Sequence, residues 1–248
     1  IYVGDVLTGE QIWKYSYADN PLMKYSIPSD VTRVDTDGDG RIDRLYVGDM
    51  GGQIWRFDIK NPSPFNWTVK CIFDSNYPPP TSGDRRKIFY PPDVSLEVDW
   101  SDYELLLFGT GDREHPRTKS VTDRLYTLKD RNPSTVMNDS HLVDVTAGLL
   151  QSSTASATQK QTILDDLKAK SGWNINLDQS SGEKCISPAL IFFGISYFST
   201  FIPCTEVTTD PCYVGEGLAK LYALRYLSGN AVFNFDLTND LGGETLTK

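Results

Sequence analysis

The sequence predicts an all-β chain of small stacked sheets, a β-propeller or a piece of one. Three observations carry that reading. The first is an internal repeat: residues 1–15 read I-Y-V-G-D-V-L-T-G-E-Q-I-W-K-Y and residues 45–57 read L-Y-V-G-D-M-G-G-Q-I-W-R-F. The copies begin one blade length apart, roughly 40 to 50 residues in four-stranded propeller repeats. The second is a Gly/Asp-rich loop set between two β-branched segments, residues 31–34 and 44–48. The third is a series of strand-length apolar runs further on, such as residues 103–111 and 189–202, punctuated by glycine turns.

Each repeat copy is an apolar strand, Val-Gly-Asp, a glycine-containing turn, then Gln-Ile-Trp-basic-aromatic. Such a hairpin has one apolar face and cannot bury it alone, so copies must stack. Trp13 and Trp55 hold the same place in both copies. A ligand-stacking ring is one reading of them; packing between neighbouring sheets is the better one.

Asp35, Asp37, Asp39 and Asp43 place four carboxylates in nine residues. Alternate spacing in a tight loop turns these side chains toward one point, where unpaired anions repel. A hard divalent cation removes that penalty, and carboxylate oxygen is the donor Ca²⁺ prefers. Gly38 and Gly40 supply permissive backbone. Gly40 follows the third Asp, where an EF-hand loop keeps its turn glycine, and Arg41 sits where that loop uses a backbone carbonyl. The twelfth position, a bidentate Glu in an EF-hand, is Tyr46 here, so Asp43 has to close the shell. The flanks read as strands rather than helices: strand, calcium loop, strand. Mg²⁺ suits a flexible many-oxygen loop less well. A solvated acidic turn uses the same residue types.

Residues 62–92 hold Pro78-Pro79-Pro80 and Pro91-Pro92 and read as an irregular loop crossing between blades, more than as a proline-rich recognition segment. Residues 103–111 read as a buried strand ending in Gly-Thr-Gly, and residues 123–130 as its partner. Residues 158–170 carry Ile163, Leu164 and Leu167 at helical spacing, with lysines near the end and Gly172 as the stop. This reads as one amphipathic helix inserted in a β framework; docking a partner is one reading of it, and covering an end of its own sheet is the better one. Residues 189–202 read as two strands around Gly194, and residues 220–226 and 231–235 as a hairpin turned by Ser228-Gly229-Asn230.

A net charge of −9 and a pI near 4.7 argue against nucleic acid as the main partner. The longest basic cluster, Arg85-Arg86-Lys87, reads as a solvated loop. No run approaches the roughly 18 apolar residues of a transmembrane helix. The chain opens in mid-strand at Ile1 without an initiator Met and carries no signal peptide; it reads as a single propeller domain over residues 1–248, or a fragment of one from a longer exported protein. Cys204 and Cys212 flank a polar loop and suit a local disulfide in an exported protein. Zinc is the weaker reading, since no Cys-x-x-Cys pair occurs and only His115 and His141 are available; a Cys71–Cys185 bridge is a weaker expectation than the local one. No nucleophile elbow, P-loop, zincin or dinucleotide-binding pattern is present. Asp112, Glu114 and His115 form the other polar cluster, read as a charge-paired structural loop rather than an acid/base group. The chain is therefore expected not to be an enzyme.

Four segments together resemble the C-terminal domain of the PilC/PilY-type, type IV pilus tip-associated proteins: residues 35–58, residues 106–116 with the D-R-L-Y-T-L-K-D-R stretch after them, residues 172–184, and residues 209–224. They run nearly from end to end of the chain. The resemblance implies a modified, quinoprotein-like β-propeller, exported to the outer membrane, periplasm or pilus tip of a Gram-negative bacterium. It implies promotion of pilus assembly, opposition to retraction, and adhesion to host or abiotic surfaces, with pilus subunits or minor pilins as partners and Ca²⁺ occupancy as the control. The family's ligands fall on Asp35, Asp37, Asp39, the Arg41 carbonyl and Asp43. The departure is size, with room for about five blades. No Arg-Gly-Asp tripeptide occurs, so integrin binding does not carry over. The alternatives are a quinoprotein-type dehydrogenase, disfavoured because one loop supplies the whole calcium shell and no adjacent cysteine pair occurs, and a generic extracellular binding propeller.

Overall fold

The structure, a computed structural model, describes residues 1–80, 84–96, 103–204 and 215–232. Its described residues form four β-sheets in chain order. The first pairs β1 (Tyr2–Gly4) with β2 (Gln11–Lys14). The second is an antiparallel meander of β3 (Thr32–Val34), β4 (Arg44–Gly48), β5 (Gln53–Asp58) and β6 (Thr68–Asp74). The third comprises β7 (Asp93–Leu96), β8 (Glu104–Gly109), β9 (Arg124–Asp130), β10 (Val143–Asp144) and β11 (Gly172–Asn176). Its order is β7-β8-β9-β11-β10, and only β10 and β11 run parallel. The helix α1 (Ala157–Ala169) lies in the β10–β11 connection. The fourth sheet is centred on β14 (Ile195–Ile202), which pairs with β12 (Lys184–Cys185), β13 (Leu190–Phe192) and β15 (Leu218–Arg225).

Three apolar seams join successive sheets. Met23, Val47, Trp55, Phe57 and Cys71 form the first, against Trp13 and Tyr15. Trp13 meets Phe57 edge-on at 6.2 Å, so both repeat tryptophans pack between sheets, as the repeat implied. The second seam brings Tyr46, Ile54, Ile72 and Phe73 against Leu106, Phe108, Tyr126 and Leu128. The third brings Leu107, Leu125, Trp173 and Ile175 against Phe198, Tyr222 and Leu224. Side chains alternate across a strand, so Tyr46 serves one seam and Val47 the other. The run Leu105-Leu106-Leu107-Phe108 is continuous because both faces of its sheet are covered. The fourth sheet differs: Phe198, Tyr222 and Leu224 enter the third seam, while Leu190, Phe192, Leu218 and Leu221 are exposed.

Several expectations change. Residues 62–92 are not irregular throughout: Pro64–Asn66 is a 3-10 turn, and Thr68–Asp74 is the outer strand of the second sheet. The prolines flank that strand rather than interrupt it. Arg86 and Lys87 are half-buried and bonded rather than free in solvent. Arg86 donates to the carbonyls of Ser75 (2.6 Å) and Thr122 (3.0 Å), and Lys87 to Asp112 (2.7 Å). The helix begins at a capping box in which Ser156 and Gln159 each bond the other's backbone N–H. Gly172 opens β11 instead of ending the helix. Its φ is +136°, and an added Cβ would lie 2.1 Å from the Thr127 carbonyl of β9. Buried Lys129 donates to the Leu167 carbonyl at the end of α1, anchoring the helix on the third sheet; burial pushes its pKa down to about 8. Cys71 and Cys185 are both unpaired and sit in different seams, so no bridge joins them. Cys212 of the expected Cys204–Cys212 bridge lies outside the described residues, as do residues 233–235 of the last hairpin; Ala231 bridges Leu224 within them.

Candidate metal centre

The acidic loop caps the β3–β4 hairpin of the second sheet. The ladder closes on Val34 opposite Arg44, and the Asp43 N–H donates to the Val34 carbonyl at 2.9 Å. Between these ends the backbone folds over its own carboxylates. Asp35 accepts from the N–H groups of Gly38 (2.7 Å) and Gly40 (2.8 Å). Asp37 accepts from Asp39 N–H (3.2 Å), and Asp39 from Arg41 N–H (2.8 Å). Gly38 and Gly40 have φ of +76° and +84°, the left-handed region that other residues enter only with strain.

These turns bring Asp35, Asp37 and Asp39 together: one carboxylate oxygen of each lies within 4.8 Å of the others. Asp43 is buried at the loop base and accepts from both the N–H (2.9 Å) and the hydroxyl of Thr36. Its carboxylate does not join that group of three; it shares the Lys60 ammonium with Asp37, at 3.6 Å from Asp43 Oδ2 and 2.5 Å from Asp37 Oδ2. The Gly40 N–H first, and then the other backbone donors, hold the Asp35 carboxyl below the usual range. The Thr36 hydroxyl does the same for Asp43, and Asp37 holds the Lys60 ammonium above its usual value. All the side-chain donors are carboxylate oxygens, a set that fits a hard cation such as Ca²⁺. Tyr46, at the twelfth position, turns into the second seam and donates to Asp130 Oδ2 at 2.6 Å. Sequence reading missed Thr36 and Lys60. Thr36 lies inside the loop pattern as a hydroxyl beside an acid; Lys60 is distant in sequence and carries no local signal.

Asp112, Glu114 and His115 also lie close together. Lys87 pairs with Asp112 (2.7 Å) and Glu114 (3.8 Å), and His115 Nδ1 lies 3.2 Å from Asp112 Oδ2. Charge pairs inside a loop, as the sequence suggested, describe this cluster.

A stack of β-sheets joined face to face, with an acidic hairpin loop suited to a cation, defines a propeller-type module. The family model described as the PilY1 beta-propeller domain matches residues 25–169, more than half of the chain and including the acidic loop, and the chain belongs to that family. It is 25% identical, over 253 aligned positions and 93% of its length, to the type IV pilus biogenesis factor PilY1 homolog of Xylella fastidiosa. The chain spans 17% of that relative's length. The crystal structure of the Pseudomonas aeruginosa PilY1 C-terminal domain superposes on 88% of the chain with a TM-score of 0.59 at 16% identity, a likeness of fold. The chain covers 52% of that solved domain.

Proposed function

We propose that this chain is a calcium-binding part of a type IV pilus biogenesis factor and works without catalytic turnover. The observation that carries the reading is the convergence of Asp35, Asp37 and Asp39 on a strand–strand hairpin of a PilY1-family sheet stack. Asp43 completes the carboxylate shell, and the Arg41 carbonyl supplies a further oxygen. The fold is a modified, quinoprotein-like propeller, with residues 1–248 forming one domain or a portion of one. It acts at the cell surface or pilus tip, outer membrane or periplasm of a Gram-negative bacterium. Pilus subunits or minor pilins are its partners, and adhesion to host or abiotic surfaces is part of the role. The relative from Xylella fastidiosa, described as a pilus biogenesis factor, supports the pilus part of this reading. Among the described residues, no helix is long and apolar enough to cross a membrane.

The chain's own residues would hold Ca²⁺ through carboxylate oxygens, while the loop's N–H groups orient those carboxylates beforehand. Calcium supplies the positive charge that lets them stay close. A partner that docks on the ordered loop then senses calcium, because binding to one state shifts its population by mass action. The test compares full-length protein with Asp43→Ala, each melted in calcium and in chelator. Calcium is expected to raise the Tm of the wild type and to leave the variant nearly unmoved. In chelator the variant should already be less stable, since the Thr36 N–H and hydroxyl lose an acceptor at about 1–3 kcal/mol. Equal melting in all four conditions removes calcium control. Surface pili counted on cells carrying the variant then test the link to assembly.

A further inference from the structure

Lys60 follows β5 by two residues, and its place is set by sheet register. Asp58 pairs with Arg44 across β4 and β5, and the next N–H, from Ile59, donates to the Asp43 carbonyl at 2.8 Å. This bond locks the backbone beside the residue that closes the acidic loop. The Lys60 side chain then reaches over the loop and puts its ammonium 2.5 Å from Asp37 Oδ2 and 3.6 Å from Asp43 Oδ2. That first distance falls within the roughly 2.3–2.6 Å at which calcium holds its oxygens. An ammonium and a calcium ion therefore cannot occupy the same side of Asp37 together. The Lys60 side chain is 59% exposed, so nothing in the fold prevents it from swinging away.

We propose that Lys60 is a tethered counter-cation for the acidic loop: it holds Asp37 and Asp43 together when calcium is absent, and it lowers calcium affinity because calcium must displace it. The proposal rests on the calcium reading above and adds the residue that sets the affinity. Displacement exposes the ammonium to water and breaks an ion pair of modest strength, so the effect on affinity is modest. A lysine here moves the calcium level at which the loop fills upward by that modest factor.

Full-length wild type, Lys60→Met and Lys60→Gln are titrated with calcium by calorimetry, with Asp35→Ala as the reference that lacks the loop site. Methionine keeps the apolar stem and glutamine keeps a polar end; both remove the charge. Both lysine variants are expected to bind calcium about two- to fivefold more tightly than wild type at low salt, the range an exposed ion pair implies. In chelator both should melt below wild type, and in saturating calcium all three should melt together. If wild type shows loop-dependent binding and the variants bind with unchanged or weaker affinity, the Lys60 role is overturned while the calcium reading stands. If wild type and Asp35→Ala titrate identically, the calcium reading falls and this proposal falls with it.

Discussion

Asp123 shows how one buried side chain sets a pH response apart from the acidic loop. It is buried in the β8–β9 connection and accepts from the Thr110 hydroxyl at 2.8 Å. Burial pushes its carboxyl up to about 6. The folded chain therefore keeps a proton that the unfolded chain releases near its ordinary value. Its contribution to stability is fullest below about pH 4 and declines as pH rises to about 6. Asp35 and Asp43 behave oppositely. Their folded values are depressed, so their contribution is present above the unfolded value and is lost as pH falls through the folded one. Asp123→Asn keeps a carbonyl for Thr110 and cannot ionise. Relative to wild type, it should gain urea resistance steadily between about pH 4 and pH 6 and level off above that; a parallel pH profile would show that Asp123 does not titrate there. At this scale the sequence displays the aspartate ladder, because alternate spacing is a local pattern. It does not display Lys60, whose partnership arises only when β5 aligns with β4.

Strand pairs carry a second feature hidden from the sequence, a charged network running between sheets. Arg56 of β5 donates through Nη1 to both oxygens of Asp130 in β9 at 3.1 Å, and through Nη2 to Asp58 at 2.7 Å. Arg44 of β4 bonds Asp58 at 2.9 Å and pairs with Glu104 of β8. Arg56 and Asp130 are both buried, so each ion is costly to leave alone. Asp130→Ala takes the acceptor from Arg56 Nη1 and from the Tyr46 hydroxyl, while Asp58 still pairs the guanidinium. We expect a loss of about 1–3 kcal/mol in denaturant unfolding; no measurable loss would mean that water replaces the missing acceptor. Strands β4, β8 and β9 were legible because apolar residues occupy both of their faces. Strand β6 was masked by neighbouring prolines, which bound it without entering it. The helix was legible from Ile163 and Leu167, but its start lay in Ser156 and Gln159, whose reciprocal bonds join two residues that look like ordinary loop and helix surface.

At the scale of the molecule, cohesion among the described residues resides in three seams, each shared by two neighbouring sheets. Coupling between distant sheets then passes only through the sheets between them, as in repeat architectures. Trp173 fills the third seam and donates through Nε1 to the Tyr226 carbonyl at 2.9 Å. Trp173→Ala should cost about 3–5 kcal/mol. Its hydrogen exchange should rise in β11, β14 and β15 while β4 and β5 stay protected, because those strands belong to the other two seams. Uniform loss of protection would instead mean that the seams melt as one unit. The repeat at residues 1–15 and 45–57 revealed the stacking principle. The four-sheet arrangement depends on residues too far apart in sequence to form a pattern.

One flank of the stack stands apart. Leu190, Phe192 and Leu221 line the side of the fourth sheet that faces away from the third seam. Oily side chains left wet are adhesive. Left uncovered, such a face is expected to draw other apolar surface onto it.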